Sequence, residues 1–135
     1  ASVSFEGDSG PYLQYATVRA NSILEKAKQP SGDFAKADSR FTINEGNTPN
    51  EVTLLEKLIS RFPDIVERAR SEYAPQSIAQ YLMALAGAFN GYYATHQIID
   101  EKDPLSPYRL QLTRSFVTTM TNGLWLLGIK VPKKM

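Results

Sequence analysis

Pro75-Gln76-Ser77-Ile78-Ala79-Gln80-Tyr81-Leu82-Met83-Ala84-Leu85-Ala86-Gly87-Ala88-Phe89-Asn90-Gly91-Tyr92-Tyr93 places its apolar side chains at spacings of three and four. Wound at 3.6 residues per turn, Ile78, Leu82, Leu85, Phe89 and Tyr93 fall on one side, a periodicity that argues for helix over strand. Pro75 suits a first helical turn, where its missing N–H costs nothing. The stretch is therefore predicted to be the longest apolar helix of the chain, ending before Asp103-Pro104. His96 continues its stripe and reads as a partly buried, hydrogen-bonded histidine. Tyr92 faces away from the stripe centre and is open to either a core or a surface role.

The same spacing recurs on both sides of this stretch. Leu13, Ala16, Ala20, Ile23, Leu24 and Ala27 form a stripe on a first helix that is expected to start at Pro11 and end before Pro30. Thr48 and Glu51, three apart with Pro49 between them, have capping-box spacing for a second helix, whose buried face would be Val52, Leu55, Leu58, Ile59 and Phe62. Residues 63–73 read as a short third helix bearing Ile65, Val66 and Ala69. Ser106-Pro107 opens a fifth, with Leu112, Phe116, Val117, Met120, Leu124 and Leu127 as its stripe and Gly128 as its stop. Residues 29–47, polar and rich in Gly, Asp, Asn and Lys, read as a surface connection. The predicted fold class is all-α: a single-domain helical bundle of about five helices over residues 1–135.

Composition excludes several classes of function. The 135 residues suit one domain, and 42% hydrophobic residues suffice for a core. With no cysteine and a single histidine, His96, disulfides, thiolate chemistry and cysteine- or multi-histidine-ligated metal are excluded. No run approaches the roughly 18 apolar residues of a membrane span. The N-terminus lacks signal-peptide patterning, and a start at Ala1 leads us to expect a fragment or a processed chain. The net charge of +1 advertises no polyanion, so any nucleic-acid contact must rest on local placement. No catalytic residue and no metal site is predicted, and carboxylates such as Asp64 and Glu67 read as helix-surface charge.

One such placement stands out. Tyr12, Tyr15, Arg19, Ser22 and Lys26 share a face of the first helix beside its apolar stripe. Two rings, a guanidinium and an ammonium suit single-stranded RNA, because unpaired bases stack on aromatic and Arg planes. The competing reading buries both tyrosine rings and leaves only their hydroxyls wet. Ahead of this helix, residues 6–10 make an acidic turn. Glu6 and Asp8 would repel a phosphate, so a carboxylate or carbonyl there is better suited to accept from a base amino group such as cytosine N4. Asp8 or Ser9 is also a natural helix cap. Trp125 lies off the stripe of the last helix, free to meet another domain or RNA. Lys130, Lys133 and Lys134 form a basic tail suited either to a phosphate or to solvent.

Three blocks carry a resemblance to a known family. The stretch Ser4-Phe5-Glu6-Gly7-Asp8-Ser9-Gly10-Pro11-Tyr12-Leu13-Gln14-Tyr15, with Arg19 after it, resembles the start of the anticodon-binding (DALR-type) domain of arginyl-tRNA synthetases. The block Tyr81-Leu82, Leu85-Ala86, Phe89, Tyr93 resembles that domain's long helix. Arg109-Leu110, Leu112 and Asn122-Gly123-Leu124, Leu126-Leu127-Gly128-Ile129, then Pro132 and a terminal Met135, resemble its last helix and tail. Thr17 stands where the family often has histidine, and Lys133-Lys134 where it often has Glu-Arg.

The resemblance implies the helical bundle of the class I synthetase anticodon-binding type. It also implies a parent enzyme, an arginine–tRNA ligase, that uses ATP with Mg in a separate catalytic domain bearing HIGH-type and KMSK-type motifs. Neither motif occurs here, so no active site and no cofactor is expected within these residues. The predicted tRNA-binding residues are Glu6, Gly7, Asp8, Ser9, Tyr12, Tyr15, Arg19 and Met135. The implied partners are the anticodon loop of arginine tRNA and the parent's own catalytic domain, in the cytoplasm, with neither DNA nor a membrane. The rival reading is a helical protein–protein interaction module that docks through Trp125 and the first-helix aromatics without touching RNA.

Overall fold

The computed structural model describes residues 9–27, 52–99 and 103–134, which form five helices. They are α1 (Ser9–Ala27), α2 (Leu54–Ser60), α3 (Phe62–Ser71), α4 (Pro75–Thr95) and α5 (Ser106–Leu126). No strand occurs among the described residues, and no helix among them is long and apolar enough to cross a membrane. The connection predicted over residues 29–47 lies outside them.

α4 packs against each of the other four helices. Its stripe of Ile78, Leu82, Leu85 and Phe89 is buried, as its periodicity predicts. Phe89 lies flat on Phe116 of α5, with ring centroids 4.2 Å apart and planes 9° from parallel. α1 buries its whole predicted stripe, and small side chains at Ala16 and Ala20 let its backbone approach its neighbours. Thr17 is buried as well, with its hydroxyl donating to the Leu13 carbonyl at 2.7 Å.

Several boundaries differ from the sequence expectations. α1 begins at Ser9 rather than Pro11, so Ser9 lies inside the helix instead of capping it. α2 begins at Leu54. Thr48 and Glu51 lie outside the described residues, while the same Thr-x-x-Glu spacing recurs at Thr53 and Glu56, where the Glu56 carboxylate accepts from the Thr53 amide at 3.3 Å and from its hydroxyl at 3.0 Å. Val52 precedes that cap and is 61% exposed, so it does not belong to the buried face. Phe62 opens α3 rather than closing α2, and stacks on Tyr81 at 5.9 Å. α3 stops at Ser71, and Tyr73 takes a left-handed turn (φ 50°) that lets the Ala74 amide reach the Ala69 carbonyl.

α4 ends at Thr95, eight residues short of Asp103. His96 is therefore not on its stripe. It caps the helix in extended conformation and stacks on Tyr92 at 4.2 Å. Tyr92 itself is core, because α2 and α5 cover the side of α4 that a single-stripe reading leaves open. Gly128 (φ 79°) turns the chain off α5, with the Ile129 amide on the Leu124 carbonyl and the Gly128 amide on the Trp125 carbonyl. A left-handed residue here favours glycine.

A polar seam closes the bundle where α2, α4 and α5 meet. Tyr108 donates to Glu56 Oε2 at 2.5 Å, and Arg109 bonds Asp103 at 2.7 Å and the Gln97 carbonyl at 3.1 Å. Tyr81 donates to the Leu58 carbonyl. Burial pushes the Tyr81 phenol up from 10.0 to about 12. Burial, reinforced by the Glu56 carboxylate that accepts its proton, raises Tyr108 as well. Burial also raises Tyr92, against the opposing pull of Arg109.

Each phenol has a folded-state pKa above its unfolded value, so its contribution is fully present below about pH 10 and is lost as pH rises through the folded value. Urea midpoints measured from pH 8 to 12 are expected to hold up to about pH 10 and then fall steeply. Gly123 gives a second expectation. A methyl added there would sit 2.6 Å from Leu82 Cδ2, whose side chain is fully buried, whereas one at Gly87 would meet nothing within 4 Å. Gly123→Ala is expected to cost about 1–3 kcal/mol, and Gly87→Ala to add up to about 1 kcal/mol of helix propensity. Thermal unfolding of the two variants should move Tm in opposite directions.

Candidate nucleic-acid interface

α1 buries Leu13, Ala16, Ala20 and Ile23 along one side and leaves an open arc on the other. The arc is bounded on both flanks by specific side-chain interactions. On the α4 flank, the Asn90 amide donates to the Tyr12 hydroxyl at 2.9 Å. Two turns further along α1, the Arg19 guanidinium carbon lies 4.4 Å from the centroid of the Tyr93 ring. On the other flank, Gln14 Nε2 donates to the Lys130 carbonyl at 2.8 Å, and a methyl built on Gly10 would lie 3.9 Å from Ile129 Cδ1. The tail after α5 thus lies against the first turns of α1.

Between these walls the predicted aromatics are open. Tyr15 is 56% exposed and Tyr12 38%. The reading in which both rings are buried does not hold for Tyr15, and Tyr12 is split between a seated ring and a hydroxyl held by Asn90. Arg19 is exposed, with its guanidinium laid over Tyr93, an arrangement that is stabilising by cation–π attraction and keeps the planar group at the surface. Lys26 is exposed on the same arc.

Towards the end of α1 the arc opens into a cavity of about 470 Å³ lined by Ile23, Lys26, Tyr93, His96, Gln97 and Ile99. His96 Nδ1 lies 3.1 Å from the Tyr92 carbonyl. The Thr95 hydroxyl lies closer to the same nitrogen, at 2.8 Å.

Of the residues predicted for the site, Tyr12, Tyr15 and Arg19 share this arc, and Ser9 begins the helix that carries it. Glu6, Gly7, Asp8 and Met135 lie outside the described residues. Lys130, Lys133 and Lys134 are all exposed. Trp125, at 71% exposure, and Leu126 stand on the open side of α5, off the core stripe as expected.

Sequence reasoning missed Asn90 and assigned Tyr93 to the core. Tyr93 does stack on Phe89, at 6.3 Å, but it sits at the edge of the stripe and is 37% exposed. The i, i+4 spacing that links it to Phe89 also places it beside the Arg19 side chain, a cross-helix relation that periodicity along one helix does not contain.

The bundle is of a kind found in aminoacyl-tRNA synthetases. It superposes on arginyl-tRNA synthetase from Thermus thermophilus with a TM-score of 0.70 and 34% identity, covering 98% of this chain and 22% of that one. The DALR anticodon binding domain model matches residues 13–135, and the chain belongs to this family. Among its relatives are the arginine–tRNA ligases of Lactiplantibacillus plantarum, 42% identical over 133 residues, and of Pyrococcus abyssi, 36% identical over 137 residues. The matches cover 98% of this chain but only 22% and 21% of those proteins. The chain thus spans about a fifth of the length of its relatives.

Proposed function

We propose that this chain is the part of an arginine–tRNA ligase that recognises the anticodon loop of arginine tRNA, while the rest of the parent joins arginine to that tRNA with ATP and Mg in the cytoplasm. The observation that carries this reading is the exposed Tyr15 on a cationic arc of α1, flanked by α4 and the tail, in a chain that belongs to an anticodon-binding family. The 135 residues contain neither catalytic motif of such an enzyme, so their share of the work is binding.

In this reading unpaired anticodon bases stack on Tyr15 and on the accessible face of Tyr12. Arg19, already held over the Tyr93 ring, offers a second plane that is partly ordered before binding. The acidic stretch Glu6, Gly7, Asp8 and Ser9 supplies acceptors for the exocyclic amine of the central cytosine that arginine anticodons share. Met135 adds an apolar surface for a base. Lys26 and the tail lysines meet the sugar-phosphate backbone.

Calorimetric titration with arginine tRNA tests this. Affinity is expected to fall with rising salt and to weaken about tenfold or more when the central anticodon base is changed. Equal affinity for both tRNAs would rule out direct anticodon reading. Tyr15→Ala is expected to weaken binding by roughly 1–3 kcal/mol while leaving Tm nearly unchanged. A large drop in Tm instead would place Tyr15 in the core.

A further inference from the structure

We propose that Gln14 is a positioning residue. Its side chain pins the chain after α5 to α1, and the pinned strap holds Lys130, Lys133 and Lys134 beside the open arc as a phosphate-binding edge. The second half of this inference rests on the RNA-binding reading above; the first half does not.

Gln14 and Lys130 are 116 positions apart in the chain, yet Gln14 Nε2 lies 2.8 Å from the Lys130 carbonyl. The strap begins where Gly128 turns the backbone off the end of α5. Beyond it Ile129 and Val131 pack against the core. Ile129 and Val131 are half-buried by these contacts, and Lys130, between them, is exposed, as are Lys133 and Lys134. Apolar contacts are non-directional, so Ile129 and Val131 alone would tolerate sliding of the strap along α1. The hydrogen bond is directional and fixes the register. It does so one residue away from Tyr15, on the opposite flank of the arc from Arg19 and Lys26. A cationic edge on each side of an aromatic strip matches single-stranded RNA, whose phosphates run beside its stacked bases.

The carbonyl that Gln14 holds is also the one trypsin must engage to cut after Lys130, and this allows a test without RNA. In the 135-residue chain, Gln14→Ala is expected to speed cleavage of the Lys130–Val131 bond about fivefold relative to cleavage elsewhere in the same chain, with unchanged helical circular dichroism. An unchanged cleavage ratio overturns the pinning. With arginine tRNA as the probe, Gln14→Ala is expected to weaken binding about 3- to 10-fold. Combining Lys130→Gln, Lys133→Gln and Lys134→Gln should lower the salt slope by up to about 0.7 for each phosphate that is no longer neutralised.

Adding Gln14→Ala to that triple variant should then cost less than about twofold, because a residue that acts through a partner shows no effect once the partner is gone. A full 3- to 10-fold loss in the triple background overturns the claim that Gln14 acts through the lysines. If the unmodified chain shows no tRNA binding, the anticodon reading and the lysine edge fall together, whereas the cleavage ratio still decides the pinning.

Discussion

The stacking of Phe89 on Phe116 locks α4 to α5, and the placement of the other elements follows from that contact. A helix that must be covered by four neighbours has little surface of its own to spare. α1 is seated in the angle between α4 and α5 by small residues that allow close approach, and no other described helix covers its opposite side. The interface is therefore a by-product of how the core is filled. The residues on α1 that do not fit into the α4–α5 angle are the ones free to meet a ligand.

That geometry gives the open arc two unlike walls. One is rigid, built from helix α4 through Asn90 and Tyr93. The other is a short strap that the Gln14 side-chain hydrogen bond and the half-buried Ile129 and Val131 hold to the bundle. An aromatic strip between a fixed wall and a tethered one is a suitable receptor for a flexible loop of RNA, because the rigid side sets the stacking plane while the tethered side can meet the backbone.

Much of this is legible in the chain itself. The α1 and α4 stripes are written in apolar residues at helical spacing, and each is buried as that spacing requires. The open arc can also be read, since Tyr12, Tyr15, Arg19 and Lys26 stay on one side whatever covers the other. What escapes a reading of the chain depends on contacts between elements. Tyr92 faces away from the stripe centre, which leaves its role open on a single stripe, but α4 has more than one buried side and Tyr92 is core. His96 continues the helical period, yet the helix ends before it, and nothing in local composition marks that end as strongly as Asp103-Pro104 does. Pro49 strengthens the capping-box motif at Thr48, while the same spacing at Thr53 and Glu56 makes the observed cap. Asn90, Tyr93 and Gln14 acquire their roles only through partners far away in the chain.

The central claim is that the arc of α1, with its two walls, is the surface that meets RNA. Backbone amide chemical shifts of the isotope-labelled chain, followed by NMR during titration with the anticodon stem-loop of arginine tRNA, test it most directly. The account predicts that the largest changes fall on α1 from Tyr12 to Lys26, on Asn90 to Gln97 and on the tail from Lys130 onward. Changes centred on Trp125 and Leu126 or on α2 and α3, with α1 silent, would contradict it.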